Sequence, residues 1–303
     1  MQMNNINMNR ININSIIDIL IDPITKSKLI IEGNYLYGIE KSSSYEFNDN
    51  LIKLIPQNIK SNNYIKHYEK DAEIFDYFQN HTCKVTVDDW NRLHQTILSK
   101  IKNLAENSIV IDVGAGNGWA AEKLVTKCGK FISIDISEKN LKTISSIINR
   151  NNFFAIQADA MNMPFADNSI DYIISSEVIE HLPNPEKFIE EMYRILKPNG
   201  KIIISTPYKE KIKYNLCIYC NTLTPANAHL HSFDENNLLK LTNNCKNSKV
   251  KFHTFGNKVL HFARCYIFLQ FLPLKLWHYV DKLANFFINK KLHIIMTIKK
   301  INK

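Results

Sequence analysis

Apolar and polar positions alternate along this chain with a period that changes from segment to segment. From Ser108 onward, short continuous apolar runs are separated by amphipathic stretches. IVIDVG, ending just beyond Asp112, has the unbroken apolar character of a strand buried on both faces. WAAEKLVTKC predicts a helix, KFISID a second strand, and SEKNLKTISSIINR a second helix with Ser137 as its N-cap. FFAIQADA and SIDYIISSE read as further strands. NPEKFIEEMYRIL is a helix stopped by Lys197-Pro198-Asn199-Gly200, KIIISTP is the next strand, and HIIMTIKK is a late one. This alternation predicts an α/β fold, a doubly wound and mostly parallel sheet.

Upstream the pattern differs. Residues 1–14 form an Asn-rich tail expected to be disordered. Residues 15–57 predict a separate small β-rich unit: a short helix, a turn at Asp22-Pro23, strands around Gly33 and Gly38, and a β run through SYEFNDNLIKLIP to Pro56. Residues 58–107 read as a helical linker or cap. Its first helix carries Tyr64, Tyr68, Ile74, Phe75 and Phe78 near helical spacing; its second carries Leu93, Ile97, Leu98 and Ile101. Residues 108–303 form the main domain, with an insertion at about 208–233. Residues 259–277, VLHFARCYIFLQFLPLKLW, are strongly apolar but interrupted by His261, Arg264, Pro273 and Lys275. A membrane-spanning helix does not fit that pattern. A buried cap helix is the expectation, and a membrane-surface or dimer contact the alternative.

Composition narrows the class. Of 303 residues 45% are hydrophobic and 22% charged, ordinary for a globular chain able to build a core without disulfides. The net charge of +9 leaves nucleic acid or an anionic membrane open as partners, although no compact basic run interleaved with aromatics is present. Six scattered cysteines argue for a reducing compartment. MQMNNINMNR lacks the apolar core of a signal peptide, so a cytoplasmic protein, peripheral to a membrane at most, is expected.

The densest chemical signal is Asp112-Val-Gly114-Ala115-Gly116-Asn-Gly118. The chain has eight glycines, and three fall in these few residues, directly after a strand and opening a helix. Glycine lets the backbone turn sharply and lets a ligand approach without a Cβ in the way. One βα unit later Asp135 ends a strand, where a carboxylate accepts hydrogen bonds from ribose hydroxyls. Dinucleotide enzymes share that logic. They do not require the next feature, Asp159-Ala160 ending a third strand, followed by Met163-Pro164-Phe165 and a second acidic turn.

With these motifs together, residues 108–208 resemble the class I S-adenosylmethionine (SAM)-dependent methyltransferases of the type 11 family, which implies a Rossmann-like fold. VIDVGAGNGWA matches the family's first motif, ISIDIS its second, and ADAMNMPFADNSIDYIISSEVIEHLPNPEKFIEEMYRILKPNGKIIISTP the remainder. The resemblance implies Asp112, Gly114, Ala115, Gly116 and Gly118 around the methionine part of SAM. It implies Asp135 with Ile136 at the ribose, Asp159 and Ala160 at the adenine, and Glu177 at the mouth where the methyl leaves. Ala115 stands where many relatives have Cys. Tyr64 or Tyr68 either touches the cofactor or packs the core. Residues 15–57 resemble the zinc-ribbon-like modules fused to or partnering several methyltransferases, but Asp22 and Thr25 stand where the metal cysteines belong, so no zinc is expected there.

Methyl transfer from a sulfonium needs alignment and exclusion of water more than covalent help, and a base only if the acceptor must lose a proton. Glu177 and His181 are the catalytic candidates. Glu177-Val-Ile-Glu180-His181 also resembles the metal-binding motif of ubiquinone-pathway O-methyltransferases and small-RNA 2′-O-methyltransferases. Cys217, Cys220, His229 and His231, in the insertion, have zinc-ligand types and spacing; the alternative is ordinary loop packing. The acceptor is open. A small molecule or a lipid- or sugar-linked intermediate is the first reading, RNA or protein the second, and a non-catalytic SAM-binding regulator the third.

Overall fold

The structure is a computed structural model, and it describes residues 12–48, 51–57, 59, 62–79, 83–102 and 104–302. Nearly all of the tail expected over residues 1–14 lies outside them. Two 3-10 turns, Ile13–Ser15 and Ile17–Ile19, open the described chain. The strands β1 (Leu29–Glu32), β2 (Tyr35–Gly38), β3 (Ser44–Asn48) and β4 (Leu51–Lys53) follow. Helices α1 (Asn63–Ile74) and α2 (Lys84–Lys100) lead to β5 (Ile109–Val113), α3 (Trp119–Leu124), β6 (Lys130–Asp135), α4 (Glu138–Ile147), β7 (Phe153–Gln157) and β8 (Ile170–Ser176). After α5 (Pro185–Ile195) come β9 (Leu196–Pro207), the short strands β10 (Tyr214–Leu216) and β11 (Leu223–Pro225), α6 (Glu235–Lys240) and β12 (Ser248–Asn257). Helices α7 (Lys258–Phe262), α8 (Tyr266–Leu269) and α9 (Leu274–Phe287) precede β13 (Lys291–Lys300).

The chain divides into two compact units, residues 1–78, 104–174 and 191–200 in the first, and residues 79–103, 175–190 and 201–303 in the second. In the first unit the strand order is β1-β2-β3-β4-β7-β6-β5-β8. The strands β4, β7, β6, β5 and β8 pair in parallel. Every residue of β5 and β7 is buried, as a strand covered on both faces requires. Ser137 caps α4 as expected, its side chain accepting from the Asn140 N–H. The Rossmann-like, mostly parallel α/β arrangement predicted from sequence is present. In the second unit β9, β13 and β12 pair antiparallel in that order, and β10 with β11 makes a hairpin.

Residues 15–57 do not stand apart. Strands β1 to β4 form an antiparallel meander whose last strand joins β7 in parallel, Ile52 opposite Ile156. Leu20 bridges to Phe165, and the Ile21 N–H donates to the Pro164 carbonyl at 3.0 Å. The turn at Asp22-Pro23 is organised by a fully buried carboxylate. Asp22 Oδ1 accepts from the Ile24 and Thr25 N–H groups at 2.7 and 3.1 Å and from the Tyr45 hydroxyl at 3.2 Å. Asp22 Oδ2 accepts from the Ser43 hydroxyl. Burial beside this carboxylate pushes the Tyr45 phenol up.

Two expectations are corrected. In α1 the buried residues are Ile65 and Ala72, while Ile74 and Phe75, at the helix end, are exposed. Residues 259–277 are no buried cap helix. They fall into α7, α8 and the start of α9, and most of their large aromatics face solvent, because Pro273 and the intervening turns break the run. Among the described residues no helix is long and apolar enough to cross a membrane.

Removing the Asp22 carboxylate leaves two turn N–H groups and two hydroxyls without their acceptor, so Asp22→Ala should destabilise the protein by about 3 kcal/mol or more. Chemical denaturation measures this. Because β4 is paired with β7, hydrogen exchange at residues 153–157 should quicken in the same variant; unchanged protection there would mean that the meander melts alone.

Candidate functional site

In the first unit, β5 delivers the chain into a turn whose three glycines have φ of 72° (Gly114), 53° (Gly116) and 78° (Gly118). The Gly114 and Ala115 N–H groups donate to the Ile134 carbonyl at 2.8 and 3.0 Å, fixing the turn against β6. Two of the glycines are required for different reasons. A Cβ on Gly118 would lie 2.9 Å from Ile144, so packing against α4 forbids it. A Cβ on Gly116 would meet nothing nearer than the Gly114 carbonyl at 4.0 Å; the turn is open there, and a ligand can lie against bare backbone.

Carboxylates surround this turn. Asp112 is 1% exposed, and its Oδ2 has no hydrogen-bond partner. Burial first, and the charge of Asp135 second, push its pKa to about 8. Asp135 Oδ2 accepts from the Gly116 N–H at 3.0 Å and Oδ1 from the Ser137 N–H at 2.8 Å. Burial still raises its pKa against those bonds. Asp159 Oδ1 accepts from the Met161 N–H at 2.9 Å, and Ala160 is buried beside it. Tyr64 and Tyr68 stand edge to face, ring centres 5.3 Å apart, over a cluster of Ile55, Ile65 and Ile136. Burial, then the charges of Asp159 and Asp135, raise the Tyr64 pKa. Asp112, Ala115, Ile136, Asp159, Ala160 and the glycines, all predicted from sequence, therefore belong to one unit with Asp135 and the two tyrosines. An open glycine turn ringed by acids suits a ligand bearing hydroxyls and positive charge.

In the second unit, Glu177 follows β8 with φ of 55°, a left-handed conformation that non-glycine residues seldom adopt. Its N–H donates to the Ser205 carbonyl at 3.1 Å, and the Ser205 hydroxyl donates back to Oε1 at 3.0 Å. Burial raises its pKa. A 3-10 turn, Ile179–His181, then presents Glu180 and His181. Glu180 is 1% exposed; Thr206 donates to Oε2 at 3.0 Å while Oε1 has no partner. Burial and the charge of Glu177 lift its pKa well above the carboxylate range.

Donor atoms of Glu180, His181 and His229 lie within 4.8 Å of one another. The two imidazoles pack edge to face at 4.7 Å between centres. His181 Nδ1 sits 3.3 Å from the Ala228 carbonyl, and His229 Nδ1 pairs with Glu210. Imidazoles held at Nδ1 by a carbonyl or a carboxylate leave Nε2 for a cation. One carboxylate and two imidazoles, with a buried oxygen lacking a partner, fit a divalent metal ion.

The zinc set expected from Cys217, Cys220, His229 and His231 is not assembled. Strands β10 and β11 put Cys217 and Cys220 at a hairpin tip, where the Cys217 N–H donates to the Thr222 carbonyl at 2.9 Å. Cys220 is exposed, its thiol 2.8 Å from the Thr222 hydroxyl. His229 Nδ1 pairs with Glu210 while its ring packs on His181, and His231 Nε2 contacts the Leu182 carbonyl at 2.9 Å. The Leu230 and His231 N–H groups both donate to the Glu180 carbonyl, which draws this loop to the 3-10 turn, and among the described residues the metal-capable group there is Glu180, His181 and His229.

Two residues escaped the sequence reading. Asp89, on α2, lies 3.0 Å from His293 Nε2 on β13. Burial disfavours the His293 imidazolium, but Asp89 and the charges of Glu177 and Asp281 hold its pKa above the usual value. No local pattern marks this pair, whose members are 204 residues apart. Asp89 also lines a cleft with Val85, Leu260, Trp277 and Leu292.

Residues 111–204 match a family model described as a methyltransferase domain. That likeness takes in under a third of the chain. A probable S-adenosylmethionine-dependent methyltransferase of Mycobacterium tuberculosis is 28% identical over 118 residues, 39% of this chain and 42% of that protein. A ubiquinone/menaquinone biosynthesis C-methyltransferase of Rickettsia prowazekii is 34% identical over 116 residues, 35% of this chain and 46% of that protein. The matches thus span less than half the length of these curated relatives. Among solved structures, phosphoethanolamine N-methyltransferase 2 of Haemonchus contortus, in complex with S-adenosyl-L-methionine, superposes with a TM-score of 0.52 at 15% identity, covering 90% of this chain and 71% of that one. That likeness concerns the fold.

The Asp112 pKa has a consequence for stability. Its folded value of about 8 exceeds the ordinary value of about 3.9, so the folded state keeps a proton that the unfolded chain releases. The contribution is full below pH about 4 and is lost as pH rises to about 8, at up to about 1.4 kcal/mol per pH unit. Denaturation of ligand-free protein across this range should show stability falling with pH more steeply than in Asp112→Asn. Parallel curves would place the ionisation elsewhere.

Proposed function

We propose that this chain is a SAM-dependent methyltransferase whose acceptor is a small molecule or a lipid- or sugar-linked intermediate. One observation carries the cofactor reading: the open glycine turn directly behind β5, with a buried, unpartnered Asp112 oxygen beneath it. Gly114, Gly116 and Gly118 would lie against the methionine part, and Asp112 would face its positive charge. Asp135 and Ile136 would hold the ribose, Asp159 and Ala160 the adenine, with Tyr64 and Tyr68 over them. In the reaction, an electron pair of the acceptor forms the new bond to the methyl carbon. The carbon–sulfur bond breaks and its pair stays on sulfur, giving S-adenosylhomocysteine. The acceptor's proton, where it has one, would leave to a base, the role for which Glu177 and His181 are the candidates.

Glu180, His181 and His229 would hold a divalent cation, which would polarise an acceptor oxygen when bound. The small-molecule or lipid-linked reading is supported by the exposed apolar side chains of the segment that begins at Val259. We also read residues 15–57 as a zinc-ribbon-like module without metal, in which Asp22 gathers by hydrogen bonds the turn that cysteines and zinc would otherwise clamp.

Calorimetry with SAM tests the cofactor reading. Asp135→Ala should weaken binding by about 1–3 kcal/mol, since buried ribose hydroxyls lose a charged acceptor. Gly116→Val should weaken it more, by filling the turn. Wild-type affinity in both variants would end the assignment. Titration with Mn²⁺ or Zn²⁺ tests the cation: His229→Ala should abolish stoichiometric binding, and Cys217→Ser/Cys220→Ser should leave it intact.

A further inference from the structure

Residues 258–291 have two contrasting sides. The inner side is built. Arg92, 3% exposed, donates to the carbonyls of Leu269, Gln270 and Leu272 at 2.7, 3.0 and 3.0 Å, with its guanidinium 5.4 Å from the centre of the Trp277 ring. Asn257 caps α7 through its side-chain oxygen, and its amide donates to the Ile288 carbonyl at 2.8 Å. On α9, Trp277 and Asp281 are buried one turn apart. The segment is therefore held at both ends and in its middle.

The outer side is apolar. Phe262 is 84% exposed, Phe268 79%, Phe271 80% and Phe286 81%. On α9, Leu276, Tyr279, Leu283 and Phe286 recur every three or four residues, all exposed, which puts them on one stripe of the helix. Lys275 and Lys282, seven residues apart, border that stripe. Large aromatics at this exposure, on short helices anchored from below, are not the scattered surface residues of an ordinary monomer.

Charge selects the occupant. Between Lys258 and Lys291 the chain carries Lys258, Arg264, Lys275, Lys282, Lys290 and Lys291, and Asp281 is its one acidic residue. Asp281 is 3% exposed, so the charges this segment itself exposes are all positive. A second copy of the chain would bring the same positive face and be repelled. An anionic bilayer supplies the opposite sign together with an apolar interior for the aromatics. With no helix long enough to cross among the described residues, the contact is with the surface.

We propose that α7, α8 and α9 dock this protein onto an anionic lipid membrane, the aromatics entering the headgroup boundary and the flanking cations facing the headgroups. Leu260, Leu269 and Trp277, on these same helices, line the cleft that contains Asp89. The docking itself does not depend on which acceptor the enzyme uses.

The test is co-sedimentation of the full chain with vesicles of phosphatidylcholine alone and of phosphatidylcholine mixed with phosphatidylglycerol. Binding should be at least about tenfold stronger to the anionic vesicles and fall with added salt. Phe268→Ser/Phe271→Ser/Phe286→Ser should lose at least about tenfold, because each exposed ring removed gives up apolar burial in the bilayer. Lys275→Gln/Lys282→Gln should lose roughly twentyfold on anionic vesicles only, at about fivefold per lysine. SAM affinity and the melting temperature report on the fold of each variant and should not change. A wild type that stays in the supernatant with anionic vesicles overturns the proposal. So does a concentration-dependent dimer, seen by light scattering, that the same phenylalanine substitutions dissolve.

Discussion

Asp112 sits on a strand whose five residues are all buried, and one of its oxygens finds no donor among the described residues. A carboxylate in that position cannot stay ionised unless something positive comes to it. The same constraint recurs at Glu180, where Thr206 satisfies one oxygen and the other is left without a partner. Strands that end in buried acids are expensive to build, and the surrounding structure is shaped by keeping them tolerable. The Gly116 and Ser137 N–H groups converge on Asp135, and Ser205 converges on Glu177. Glycines at positive φ bring those N–H groups into place. The carboxylates that protein donors do not fully satisfy are the ones where bound positive charge would act.

Asp22 shows the opposite solution. Its carboxylate is fully buried, yet two N–H groups and two hydroxyls donate to it, so nothing further is needed. These hydrogen bonds organise the Asp22-Pro23 turn. They tie the meander to itself, while β4, through its pairing with β7, ties the meander to the parallel sheet. This arrangement removes the edge that β7 would otherwise expose.

Much of this was legible in the sequence where the signal is local. The continuous apolar runs gave β5 to β9, because a doubly covered strand has no polar face to keep. Ser137 announced α4, and the clustered glycines announced the turn. Long-range partners were not legible. Asp89 and His293 lie on a helix and a strand far apart in the chain, and each looks like a surface residue in its own periodicity. The histidines of the insertion were seen, but spacing suggested the nearby cysteines as partners. The hairpin β10–β11 carries those cysteines to its tip, and the Glu180 carbonyl holds the histidine loop instead. Strand β12 was missed even though Lys249-Val250-Lys251-Phe252-His253 alternates polar and apolar positions as a half-buried strand does. The apolar run after it was read as core, since hydrophobicity alone cannot tell an inward face from an outward one.

The methyl-transfer chemistry proposed here makes the electrostatics more than a structural cost. A sulfonium cofactor is positive before transfer and neutral at sulfur afterwards. An acid held neutral by burial, as Asp112 is below pH about 8, loses its proton more readily when a cation lies beside it. If Asp112 lies beside the sulfonium as proposed, cofactor binding would be coupled to proton release, and the ionised carboxylate would stabilise the cationic form more than the spent one. A site of this kind favours SAM over S-adenosylhomocysteine without a single contact to the methyl group. The discrimination would weaken below the pH at which the bound-state carboxylate reprotonates. Preference for substrate over product, on this account, comes from the depth at which β5 buries its acid.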